Sequence, residues 1–326
     1  MTADMPTPSA DDRVAGSDAP VVVPWRAVIA FVVLACGLAW LAALPLWLGD
    51  GLASPLATVF IALMMFTPAA ATLIVIAVLR VPTAPRARAL GLTPLRPVGR
   101  FLLFLALGLA LPIVIVVVTI GISAAVGLVR LDLVDFSGFA SQVAAVSGGG
   151  ALPPIAVLVV AQLLAIPVGA VFNSIVAFGE ELGWRGWLQG ALMPLGVWPA
   201  LLITGAVWGL WHAPVILLGY NFARPDAVGL LFMIGGCLAW GVLLGWLRLR
   251  SASLWPAVLA HGSLNAVGGL ILVLIALGEE PDLAVVGPLG VIAWAVVAAV
   301  ILVVALLRQF RPGTVATSVP KAEVVR

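Results

Sequence analysis

Eight apolar runs, each close to the ~20 residues a helix needs to cross a bilayer, constrain this chain more than anything else in it. They fall at residues 25–48, 57–79, 101–126, 155–178, 199–217, 227–247, 254–277 and 284–307. Hydrocarbon offers no water to backbone amides, so each run must satisfy its own hydrogen bonds and is expected to be a helix. The fold class that follows is all-α: a polytopic membrane helix bundle of about eight transmembrane helices. Charged residues make up 9% of the 326, against about 25% in a soluble domain, which excludes a soluble protein. The arginines flank the apolar runs, so the net charge of +2 does not point to nucleic acid, and none is expected as a partner. Cys36 and Cys237 both lie inside apolar runs and support neither a disulfide framework nor a thiolate metal cluster.

Orientation follows from the arginines. With the N-terminus inside, Arg13, Arg26, Arg80, Arg86, Arg88, Arg96, Arg100, Arg185, Arg248, Arg250, Arg308, Arg311, Lys321 and Arg326 fall on the cytoplasmic side, and only Arg130 and Arg224 fall outside. This bias predicts N-in/C-in topology. The outer loops also carry Asp132, Asp135, Glu279, Glu280 and Asp282. Residues 1–23 are polar and rich in Pro, Ala, Ser and Asp, so a disordered cytoplasmic tail is expected there. Residues 24–311 form one transmembrane domain, and 312–326 a second cytoplasmic tail. The run Val33-Leu34-Ala35-Cys36 has the outline of a lipoprotein cleavage box, but the acidic leader and the apolar run beyond it argue against cleavage. One lysine against fifteen arginines is the usage of a GC-rich, bacterial genome, so the inner (cytoplasmic) membrane is the expected location. The basic, Pro-rich loop 80–100 should lie near anionic headgroups. The segment 187–198, with Trp187, Leu188, Leu192 and Trp198, should lie in the interface. No internal repeat of the transporter kind is visible.

Ionisable groups at membrane depth are costly and by default mark function. The chain's only histidines, His212 and His261, lie within apolar runs, and Glu180-Glu181 closes another. If that helix continues, Glu181 and Arg185 form an i,i+4 pair in the favourable order, acid before base. Glu180 then stacks over Trp184, and desolvation there suits a general base. Two solvated acids at a helix end is the bland alternative. Trp208 and His212 share a helix face, as do His261 and Asn265. The latter pair can donate to a developing oxyanion, and either pair can also serve as an interhelical hydrogen-bonding contact. At ~1.5 Å per residue, His261 lies about 10 Å and His212 about 20 Å inward from the starts of their runs. The glutamates lie at the cytoplasmic edge. The set is expected to converge on a cavity opening toward the cytoplasm.

Glu180, Glu181 and Arg185, then Trp208 and His212, then His261 and Asn265, together resemble the motifs of the CAAX-protease and bacteriocin-processing (CPBP, or Abi) family of intramembrane proteases. Trp208 stands where that family usually has Phe. The resemblance implies an eight-helix fold and an intramembrane endopeptidase that hydrolyses a peptide bond of a membrane-associated protein or peptide. It implies that Glu180 activates water, that His212 orients it, and that His261 with Asn265 stabilises the oxyanion. Glu181, Arg185, Trp184 and Trp208 would support the site. The family is often described as metalloproteases, and Glu180, His212 and His261 could supply three ligands to zinc with water as the fourth. Asn265 is a poor zinc ligand, and the donors come from three helices, so metal-free glutamate-activated water is the other reading. The alternative class is a non-enzymatic membrane immunity or scaffold protein of the same fold. A transporter is disfavoured by the missing two-half symmetry.

Overall fold

The computed structural model describes residues 22–83, 85–148 and 152–311. Of the expected tails, residues 1–21 and 312–326 lie outside the described residues. The bundle is all-α. Among the described residues, seven helical stretches are long and apolar enough to cross a membrane: 25–48, 57–79, 98–125, 155–195, 227–251, 255–274 and 283–306. The helices that build the bundle around the site are α1 (Trp25–Leu48), α2 (Ala57–Met65), α3 (Thr67–Leu79), α4 (Val98–Ala125), α5 (Ile155–Glu181), α6 (Val197–Trp211), α7 (Ala227–Ser251), α8 (Trp255–Val267) and α9 (Val291–Leu306), with shorter helices such as Ser137–Val146 in the connections.

The helix in the fifth expected span, 199–217, is shorter than its apolar run. Helix α6 has 15 residues and stops at His212, and a separate turn, Ala213–Ile216, follows. Pro214 explains the break. It has no amide to donate and its ring crowds the carbonyl four residues back. His212 therefore sits at a helix end. The second run is likewise broken at Phe66, where Pro68 starts α3.

Helix crossings are close because small residues sit at them. A Cβ on Gly262 of α8 would lie 2.4 Å from the Ala170 carbonyl oxygen of α5, and one on Gly209 of α6 would lie 2.5 Å from Ile234 Cα of α7. Both obstacles are backbone. Gly262→Val is therefore expected to force α5 and α8 apart. Its readout is the loss of a monodisperse peak in detergent, and a Gly262→Val variant as stable as the parent would show that this crossing is not tight.

The largest departure from the sequence reading concerns depth. Glu180 and Glu181 do not mark an edge. Beyond α5 the chain continues as a π-helix, Leu182–Leu188, and then as Gln189–Leu192, so the whole apolar stretch runs from Ile155 to Leu195. Every residue from Gly179 to Gln189 is buried. Gly179 packs against Met65 and Phe66, which sets Glu180 at the level of the α2–α3 break, well inside the bundle. Trp187, Leu188 and Leu192 are likewise buried in protein rather than lying in the interface, whereas Trp198 is exposed. The Trp187 ring stacks on Phe31, and its indole N–H donates to the Val81 carbonyl.

The two ends of the bundle differ in charge, and their loops are tied together. At one end Arg248 donates to the Ala89 carbonyl and covers Gly91, Leu254 N–H donates to the Gly91 carbonyl, and Arg100 donates to the Arg250 carbonyl. At the other end Arg130 pairs with Glu279 at 2.6 Å, Arg224 pairs with Asp282 at 2.5 Å, and Leu131 bridges Ile275. There the Ser137 hydroxyl and the amides of Asp135, Ser137 and Val134 hold the Asp132 carboxyl well below the usual carboxylate range.

Candidate active site

Three helices bring the motif residues together. Helix α5 presents Glu180 and, one position on, Glu181. Helix α6 presents Trp208 and ends at His212. Helix α8 presents His261 and Asn265. Glu181 and Arg185 form the expected pair, with Nη1 2.7 Å from Oε1 and both side chains fully buried. The same Glu181 oxygen lies 2.9 Å from His261 Nδ1. His261 thus lies between the two acids, its Nε2 4.0 Å from Glu180 Oε1.

Glu180 is placed differently from the sequence expectation. Its aromatic neighbour is Trp208, whose indole N–H donates to Oε2 at 2.6 Å. Trp184 is fully buried, but its ring contacts are Phe31 and Trp211. Stacking of Glu180 on Trp184 requires α-helical spacing, whereas Trp184 lies in the wider π turn. Such turns recur at functional sites. Trp208 is the hub of the cluster. It donates to Glu180, carries the Arg185 guanidinium 4.3 Å above its ring, and meets the His261 ring edge-on at 5.3 Å. The sequence reading gives it only a supporting role at the site. The signal available was an indole donor one helical turn before His212.

His212 Nδ1 lies 2.9 Å from the Trp208 carbonyl oxygen, as a donor to it must, and this leaves Nε2 as the ring's other polar atom. Trp211 packs edge-on against the same ring at 4.7 Å. Glu180, Trp208, His212, His261 and Asn265 all line one cavity of about 660 Å³. Asn173, Tyr220, Asn221 and Cys237 line it too, and the sequence reading assigned none of them to a site. Asn173 was visible as one of two amides, with Gln162, in the apolar run 155–178. Its Nδ2 donates to the Gly169 carbonyl.

The wall of the cavity lies mainly on one side of the motif residues. Besides the motif residues its wall is built from Thr58, Ile61 and Met65 of α2, Met233 of α7, Gly268 and Gly269 after α8, and Leu283, Pro288 and Leu289 before α9. These are the halves of the helices nearest the Arg130 and Arg224 loops. The physical reason is the buried continuation of α5, which fills the arginine-bearing side.

Glu180, His212 and His261 do not fit a metal as arranged. Among the described residues no group of three His, Cys, Asp or Glu side chains is placed to hold an ion. Nδ1 of each histidine is held, one by a carboxylate and the other by a carbonyl, which fixes the ring and directs Nε2 elsewhere.

Residues 160–267 match the protein family described as Type II CAAX prenyl endopeptidase Rce1-like. That segment is similar to the CAAX-protease family. The match contains every motif residue from Glu180 to Asn265 and leaves the first three apolar runs and the last one outside it. No curated protein matches the chain.

Trp208→Phe keeps a ring under Arg185 and removes only the donor to Glu180. A hydrogen bond to a charged group contributes about 1.5–3 kcal/mol. The variant should lose about tenfold or more in kcat with little change in KM, measured on any peptide that the parent cleaves. An unchanged kcat would make Trp208 a packing residue only.

Proposed function

We propose that this protein is an intramembrane endopeptidase that hydrolyses a peptide bond of a membrane-associated protein or peptide, with Glu180 as the base that activates water. The observation carrying this reading is a carboxylate inside the bundle, fixed at one oxygen by Trp208 and facing a cavity that His212, His261 and Asn265 share. Water held between Glu180 and His212 attacks the scissile carbonyl carbon, and Glu180 takes its proton. The resulting oxyanion accepts hydrogen bonds from His261 and Asn265. With Nδ1–H of His261 held by Glu181, donation from Nε2 means that the ring carries both protons. Collapse breaks the C–N bond, and the proton on Glu180 passes to the leaving amine, which regenerates the carboxylate. Glu181 and Arg185 orient His261 and take no part in bond making. The bilayer and the substrate are the expected partners, and the inner membrane the expected location.

The test is hydrolysis of a broad membrane-peptide library by the purified, detergent-solubilised protein beside Glu180→Gln, with and without a chelator. Cleavage lost in the variant supports the reading, and chelator sensitivity would bring a metal into the mechanism. Equal cleavage by both proteins would remove Glu180 from it. No cleavage by either, with peptide binding intact, would favour the non-enzymatic immunity or scaffold reading.

A further inference from the structure

Asn173 has no part in the chemistry proposed above, yet it stands on the same face of α5 as Glu180. The two are seven residues apart, which is close to two full turns, so their side chains leave the helix in nearly the same direction. Both line the cavity. An amide in an apolar run ordinarily bonds across to a neighbouring helix. Asn173 bonds instead within its own helix, where Nδ2 donates to the Gly169 carbonyl at 2.9 Å. Helix α8 packs against this level of α5 with Ala266, which meets Gly169, and Gly262, which meets Ala170 and Ser174. Neither residue has a polar side-chain atom to offer. Asn173 is only half-buried, so its Oδ1 and second Nδ2–H are left to the cavity. The wall around it, with Ile61, Met65 and Val176, is apolar.

We propose that Asn173 binds the substrate's backbone, pairing its amide with one peptide unit two or three residues from the scissile bond. A peptide unit brings one N–H and one C=O into the cavity, and each is costly to leave unmet against an apolar wall. Asn173 supplies the complement: Oδ1 accepts from the N–H and Nδ2–H donates to the C=O. The spacing follows from the helix. Seven residues at ~1.5 Å each separate the Cα atoms by about 10.5 Å, and an extended peptide rises about 3.3 Å per residue. Side chains lean toward the helix N-terminus, and the longer Glu180 leans further, so the functional atoms are somewhat closer than the Cα atoms. A contact to the backbone holds the chain in register whatever its side chains are. It is made equally in the ground state and the transition state, so it lowers KM without raising kcat. That the occupant is a polypeptide rests on the proteolytic reading above.

The test uses a peptide that the parent cleaves, together with derivatives that are N-methylated at one backbone amide each, on both sides of the scissile bond. Their binding is measured by fluorescence anisotropy to Glu180→Gln in detergent, with and without Asn173→Leu. Methylation at the second or third residue should weaken binding to Glu180→Gln about tenfold, the typical upper effect of one uncharged hydrogen bond. The double variant should bind the unmethylated peptide about tenfold more weakly and lose no more on methylation. With Glu180 intact, Asn173→Leu should raise KM by a similar factor and keep the parent's kcat. Leucine nearly matches the volume of asparagine, and the Gly169 carbonyl keeps its regular helical donor, so the variant should unfold near the parent's temperature. Asn173→Ala should give the same methylation pattern. Unmethylated peptide bound as tightly by both replacements as by the parent would overturn the inference. So would a methylation penalty that persists without Asn173, one relieved only at other residues, or a fall in kcat with KM unchanged. Failure of the proteolytic reading looks different: it is cleavage that Glu180→Gln does not diminish.

Discussion

Hydrolysis by Glu180→Gln is expected to fall by about 10²- to 10⁴-fold, the usual contribution of a positioned general base, without loss of the folded protein. The substitution keeps the shape of the side chain and an oxygen that can accept from Trp208 Nε1. It also leaves Glu181, Arg185 and His261 joined as they are. What disappears is the ability to take a proton from water. The loss should therefore appear in kcat, with KM and thermal unfolding in detergent close to the parent's. Such a split separates chemistry from folding. A variant that unfolds at lower temperature would show instead that Glu180 has a structural role, and one that retains its kcat would end the glutamate mechanism.

Much of this site is legible in the residues, and the failures have definite causes. The Glu181–Arg185 pair is legible because it depends only on helical spacing within one element, and it survives the passage into the π turn. The bond from Trp208 to Glu180 is not, because it depends on how α6 crosses α5, which no periodicity within either helix encodes. The depth of the glutamates is misread for a related reason. The apolar run reads as ending where the first acids appear, but Trp184, Trp187, Leu188 and Leu192 continue it and bury Arg185 among them. The acids are therefore buried against a packed layer rather than standing at an edge. The break of α6 is written in the sequence as Pro214, and its consequence is local: a histidine at a helix end rather than mid-helix. The bundle itself, with its all-α architecture and its alternation of charged ends, follows from hydropathy and arginine placement alone.

Arg185→Ala should cost more stability than any other single change at the site, about 3–5 kcal/mol, the usual cost of removing one member of a buried ion pair. Its guanidinium has no exposure, sits 2.7 Å from Glu181, and lies over the Trp208 ring at 4.3 Å. Truncation leaves Glu181 with His261 as its remaining charged neighbour and opens a cavity beneath the indole. Arg185→Lys restores the charge but not the planar contact, so only part of the loss should return. The informative variant is the double replacement Glu181→Gln with Arg185→Met, which removes both charges and refills the volume. Apolar replacement of buried ion pairs is often neutral for stability, so this protein should unfold near the parent's temperature in detergent. It should nonetheless remain poorly active, because His261 Nδ1 has lost the carboxylate that orients it. Recovered stability without recovered kcat would place the pair in the positioning of His261. Recovery of both would reduce it to packing, and an Arg185→Ala protein as stable as the parent would mean that water already reaches this layer of the bundle.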